Sequence, residues 1–156
     1  TGGSMTVNGD MAPGAVSNDM ICVVNINGGT LAVTNGTEDA ELRIEYGTLN
    51  LVSGTATVDR LTMTNSQSLM TVELRGTGTN DFAHITANGN VDIGGALTVT
   101  MNGYTAMPGD TWTIVSGAGT RTGVFTTTDL PADLDVVYKS NGFDIAFPAG
   151  TFFFFQ

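Results

Sequence analysis

The sequence predicts an all-β chain wound as a parallel β-solenoid and closed by a C-terminal β cap, and three observations carry that expectation. Apolar residues alternate with period two, as in Thr30-Leu-Ala-Val-Thr34 and Met70-Thr-Val-Glu-Leu74, which puts successive side chains on opposite faces of a strand. Gly or Pro interrupts nearly every stretch long enough for a helix, and strong helix formers are sparse. Related strands also recur. Gly29-Thr-Leu-Ala-Val-Thr-Asn-Gly36 and Gly47-Thr-Leu-Asn-Leu-Val-Ser-Gly54 are near copies 18 residues apart, with looser echoes at Arg60–Asn65, Met70–Arg75 and Gly95–Met101. A spacing of roughly 18 to 23 residues is about one turn of a β-solenoid, in which each rung stacks on the next. An antiparallel β-sandwich of similar strands is the alternative.

In chain order, the expected strands run Ser4–Val7, Met20–Ile26, Thr30–Thr34, Ala40–Tyr46, Thr48–Val52, Ala56–Val58, Arg60–Thr64, Leu69–Leu74, Phe82–Ala87, Asn90–Ile93 and Ala96–Met101. Beyond Met101 they continue as Thr111–Val115, Gly123–Thr127, Asp135–Lys139 and Phe143–Phe147. Asn-Gly pairs at 8–9, 27–28, 35–36, 88–89, 102–103 and 141–142 supply turns that tolerate positive φ. Each alone would suggest a hairpin; repeated between similar strands, they suit the corners of a coil. The core is then a set of aliphatic ladders: Leu31 and Val33, Leu49 and Leu51, Leu61 and Met63, Val72 and Leu74, Leu97 and Val99. Thr and Asn face outward, as suits an exposed pleated surface.

One domain is expected, divided into N-terminal strands over residues 1–28, solenoid rungs over 29–103, a cap over 104–147 and a hydrophobic C-terminal strand over 148–156. A cap is needed because an open solenoid end is insoluble. The 104–147 stretch gathers the aromatics, including Tyr104, Trp112 and Tyr138.

Composition excludes several functions. With 15 acidic and 5 basic residues the net charge is −10, and five scattered cations cannot form the positive footprint a nucleic-acid module needs. No apolar run reaches the roughly 18 to 20 residues that span a bilayer as a helix. One cysteine, Cys22, cannot form an internal disulfide. Charged residues are 13% of the chain, about half the usual share, while Thr numbers 25. Low Lys, high Thr and the absence of paired cysteines fit a secreted bacterial surface protein. The opening Thr1-Gly-Gly-Ser4 fits either removal of a signal peptide or a short cloning scar before Met5.

Chemical motifs are few. His84 alternates with Ile85 and reads as an outward rung residue, with no Ser-His-Asp arrangement to argue from. Cys22 reads as a small hydrophobe. Glu38, Asp39, Glu41 and Glu45, and the pair Asp133 and Asp135, offer oxygen ligands for calcium or an acid-base pair for polysaccharide cleavage. They match no calcium loop, so a solvated acidic face is the simpler reading. The glycines form no phosphate loop. No catalytic residue, metal or cofactor is expected.

The stretch from about Ile85 to Phe147 carries, in order, Gly95-Ala-Leu-Thr-Val99, Asn102-Gly-Tyr104, Pro108-Gly-Asp-Thr-Trp-Thr-Ile-Val115, Gly123-Val-Phe125, Leu130-Pro131 and Asn141-Gly-Phe-Asp-Ile145. In this order it resembles the C-terminal part of bacterial autotransporter-type β-helix passengers and related repeat-rich surface proteins. The resemblance implies a secreted, right-handed parallel β-helix; the chain is short for that family.

The last segment is the sharpest feature. After Pro148-Ala-Gly150 the chain reads Thr151-Phe-Phe-Phe-Phe-Gln156. In a strand, Phe152 and Phe154 point one way and Phe153 and Phe155 the other, so both faces call for burial. Four buried Phe side chains are worth on the order of 6 to 12 kcal/mol. The segment could fold onto its own cap, add to the open edge of a neighbouring copy, or serve in outer-membrane recognition. Edge addition is favoured, with Met5 and Val7 of the N-terminal strand as a second exchangeable element. The functional expectation is the subunit of an extracellular filament or surface assembly, with self as partner. The alternative is an adhesin or glycan-binding module displaying Tyr104, Trp112 and Tyr138.

Overall fold

The computed structural model describes residues 3–7, 9, 11, 22–37 and 39–150. All regular structure among them is β, wound into about four stacked coils whose strands run parallel between coils. The parallel pairing makes this a β-solenoid and excludes the antiparallel sandwich.

Each coil has three sides. In the first, β2 (Cys22–Val33) spans two sides by bending at Gly28 and Gly29, and β3 (Glu41–Arg43) forms the third. The second repeats this with β4 (Gly47–Val58), bent at Gly54, and β5 (Arg60–Met63). In the third and fourth the long strand is split by a loop, giving β6 (Ser68–Leu74), β7 (Ala83–Ala87) and β8 (Val91–Ile93), then β9 (Ala96–Met101), β10 (Thr111–Gly117) and β11 (Arg121–Gly123). Before the first coil, β1 (Ser4–Val7) pairs with the second half of β2, Met5 beside Leu31. After the fourth, β12 (Thr127–Asp129) starts another rung on β9. The hairpin of β13 (Asp135–Lys139) and β14 (Gly142–Ala146) then lies antiparallel against β10.

Inward residues stack along the axis as the alternation requires. One ladder runs Val24, Leu49, Met70, Leu97 and the next Ile26, Leu51, Val72, Val99. The third side stacks Leu42, Leu61 and Val91. All are buried in one continuous core, so every expected ladder residue faces inward.

The repeat length differs from the expectation. Hydrogen-bonded neighbours Asn25 and Asn50 are 25 positions apart, Asn50 and Thr71 are 21, and Asp92 and Thr122 are 30. The near copies Gly29–Gly36 and Gly47–Gly54 therefore occupy different sides: Thr30 pairs with Thr55, and Gly47 pairs with Cys22. Every side needs the same Thr-out, aliphatic-in alternation, so likeness of sequence does not identify equivalent rungs.

Corners set the register. Gly54 has φ +91°, and a Cβ there would sit 2.6 Å from the Gly29 carbonyl oxygen on the coil before it. At another corner, buried Asp59 accepts the Asn35 backbone N–H at 3.0 Å and the Asn88 side-chain amide at 2.8 Å, tying three coils together. Gly123–Thr127, expected as one strand, is the end of β11, a corner over 124–126 and the start of β12. Gly123 has φ +70°, and a Cβ would strike the Ile93 carbonyl oxygen. Its Phe125 turns inward against Phe143, ring centroids 5.2 Å apart.

Candidate functional site at the ends of the stack

A coil stack buries its interior ladders and leaves chemistry to its sides and ends. The sides carry satisfied polar rows. Asn50 donates to Asn25 at 2.6 Å and accepts from the Thr71 hydroxyl, while Thr122 donates to Asp92. Such rows strengthen coil-to-coil contact on a surface with little charge.

The expected acidic group is largely used locally. Arg43 pairs with Glu41 at 2.9 Å and Glu45 at 3.4 Å, and Asp39 accepts from the Asn35 amide and the Thr37 hydroxyl. Those two hydrogen bonds, Asn35 first, hold the Asp39 carboxyl below its ordinary range. Glu38 lies outside the described residues. Asp133 adopts φ +68° in the turn before β13, which begins at Asp135. Among the described residues no cluster of three metal-ligating side chains forms.

His84 lies outward on β7, with Nε2 3.0 Å from the Ser116 hydroxyl. Loss of water around the half-buried ring lowers its pKa. The Cys22 side chain lies outside the described part of the structure.

The aromatic patch expected of an adhesin is not displayed. Trp112 is fully buried, its Nε1 donating to the Gly76 carbonyl at 2.7 Å, with Tyr104 edge-on at 6.3 Å. Tyr104 in turn donates to Asp110 at 2.7 Å, which lowers the Asp110 pKa and raises that of Tyr104. Tyr138 packs against the core, accepts the Phe125 N–H at 3.0 Å and carries Arg121 over its ring at 4.9 Å. An indole N–H can be buried only with an acceptor, and the acceptor here lies 36 positions away, so the sequence carries no local sign of it.

The ends differ from each other. At the N-terminal end β1 occupies its own chain's edge, and Met11 forms a one-residue bridge to β3, donating to Glu41 O at 2.8 Å and accepting from Arg43 N at 2.9 Å. Among the described residues no strand covers the outer edge of the first half of β2. Met5 and Val23 are exposed there, beside a cavity of about 380 Å³ lined by Met11, Val24, Ile26 and Leu31. Met11, in Asp10-Met-Ala-Pro13, has no alternating neighbours, so sequence reasoning passed over it. Val7 pairs with Val33 through its backbone.

At the C-terminal end β11, β12 and β13 each end a sheet order; β11 is capped by the β13–β14 turn, where Ser140 O accepts the Arg121 N–H at 2.7 Å and Lys139 O the Arg121 Nε at 2.8 Å, and no described strand lies on the far side of β12. A groove of about 450 Å³ beside them is lined by Pro108, Leu134, Phe147 and Pro148, with Asp133 and Asp135 at its rim. Phe152, Phe153, Phe154 and Phe155 lie outside the described residues. No described helix is long and apolar enough to cross a membrane. No protein-family model matches the chain, and no curated protein or solved structure matches it significantly.

Proposed function

We propose that the chain is a structural subunit of a secreted bacterial filament or surface assembly, polymerising head to tail through its unlike ends. The observation that carries this reading is the pair of parallel edges that no strand covers among the described residues, the first half of β2 at one end and β12 at the other, on a stack whose sides carry hydrogen-bonded polar rows. Contact between unlike ends propagates, because each added copy presents the same free end again. Exposed backbone edges are also what a strand from another copy adds to. Phe152 to Phe155 supply the apolar strand for that exchange, and Met5 with Val7 the neighbouring element at the receiving end. The likeness of residues 85–147 to autotransporter-type passengers supports a place outside the cell. The burial of Trp112 takes from the adhesin reading the aromatic it would use to stack on a sugar.

The test is deletion of residues 151–156 followed by electron microscopy and sedimentation. The full chain is expected to form filaments, and the truncated chain to remain monomeric with the same circular dichroism. Filaments from the truncated chain would remove the tail from the mechanism. A full chain that stays monomeric at high concentration would overturn the assembly itself.

A further inference from the structure

The corner that joins the second and third sides is built differently in each coil. In the second it is Asp59 alone, in the third Asn88-Gly89-Asn90, in the fourth Ala118-Gly119-Thr120, and in the first a longer turn that contains Asn35-Gly36-Thr37. The Asn35 backbone N–H is anchored on buried Asp59 at 3.0 Å. Its side-chain oxygen accepts the Thr37 backbone N–H at 3.0 Å, and the Thr37 hydroxyl, 2.9 Å from that oxygen and 2.7 Å from the Asp39 carboxylate, shares its one proton between the two. Its amide nitrogen donates to the Asp39 carboxylate. Gly36 is exposed, with φ +78° and open space where a side chain would stand.

We propose that Asn35 is a site of spontaneous deamidation whose rate is set by this turn. The backbone nitrogen of Gly36 attacks Cγ of Asn35, the Cγ–Nδ2 bond breaks, and a five-membered succinimide forms. The proton lost from the Gly36 nitrogen balances the one gained by the departing nitrogen, which leaves as ammonia. Solvent water then opens the ring to aspartate or isoaspartate. The Thr37 backbone N–H is fixed on the oxygen where negative charge develops as Cγ becomes tetrahedral, and the Thr37 hydroxyl can turn its proton from Asp39 to the same oxygen, the position at which donors lower a barrier. Asp39 holds the departing nitrogen and is placed to carry the proton. Thr37 and Asp39 are positioning residues.

Other Asn-Gly pairs in the same molecule serve as controls. The Gly89 N–H donates to the Asp59 carbonyl at 2.7 Å, so the nucleophile is committed there, although the Asn88 amide faces a carboxylate, Asp59 at 2.8 Å, as the Asn35 amide does. The Asn141 amide donates to the Gly117 carbonyl at 2.6 Å, and Gly142 is held in β14. Conversion at Asn35 adds a negative charge to the first coil, and isoaspartate lengthens the backbone above Asp59.

The experiment incubates the full chain at mildly alkaline pH and maps aspartate and isoaspartate at each Asn-Gly by peptide mass spectrometry, folded and in urea. In the folded protein Asn35 is expected to convert roughly tenfold faster than Asn88 or Asn141, the effect of about one committed hydrogen bond. Thr37→Val should slow it about three- to tenfold, Asp39→Asn should also slow it, and in urea the three sites should converge. Equal folded rates at the three pairs would overturn the proposal. So would an unchanged Asn35 rate in both variants, or the same order of rates in urea.

Discussion

At the scale of single residues, His84 makes the most direct prediction. Its ring sits beside Thr55 of the coil before and 3.0 Å from Ser116, and its pKa is lowered because burial disfavours the charged form. The native state therefore binds a proton less readily than the unfolded chain. As pH falls below the ordinary histidine value of about 6.5, the unfolded state protonates first and stability declines; above it this contribution is fully present. Urea midpoints should drop between about pH 7 and pH 5, and His84→Gln should flatten that interval. The lowered carboxyls of Asp39, Glu73 and Asp110 act with the same sign but only in the acid range below it. A wild-type midpoint flat across the histidine interval would contradict the effect. The outward setting of His84 and the inward setting of Leu31, Leu49 and Val72 were both legible, since each follows from alternation. The burial of Trp112 was not, because Gly76 is brought to it by coiling.

Among the elements, the hairpin of β13 and β14 shows what closes a stack. Phe143 and Ile145 face the core, and between them Asp144 is almost wholly buried on the opposite face of the strand. One of its oxygens pairs with Lys139 at 2.5 Å, and the other has no hydrogen-bond partner among the described residues. Lys139→Ala would leave a buried carboxylate with neither oxygen satisfied, costing roughly 1 to 3 kcal/mol. The double variant Lys139→Ala with Asp144→Val should be more stable than Lys139→Ala alone, because the charge has gone. Thermal or urea unfolding of the two checks this, and a less stable double variant would contradict it. Strand positions were largely readable, but not their continuity. Met20–Ile26 and Thr30–Thr34 were expected as separate strands, and β2 runs from Cys22 through Val33 because its glycines bend the strand without ending it. Gly123–Thr127 erred the other way: its Thr and Val read as one strand, and the close approach of Ile93 makes a corner between the end of β11 and the start of β12.

For the whole molecule, the net charge of −10 opposes bringing copies together. An end-to-end contact held by apolar strands should strengthen with salt. Raising ionic strength from about 10 mM to about 150 mM shortens the screening length from about 30 Å to about 8 Å. Sedimentation across that range should show more assembly at the higher salt, and less would point instead to ion pairs at the junction. The candidate site was legible only in outline: the Phe-rich terminus stands out in the sequence, whereas the β2 edge and the Met11 bridge exist only once coils are stacked. By itself the sequence determined the class of fold, the inward and outward face of each strand and the low charge of the surface, because alternation and composition are local. The tertiary structure alone decided which strand lies beside which. The glycine corners and Asp59 set that register through contacts between coils, and residues 21 to 30 positions apart leave no local trace of their pairing.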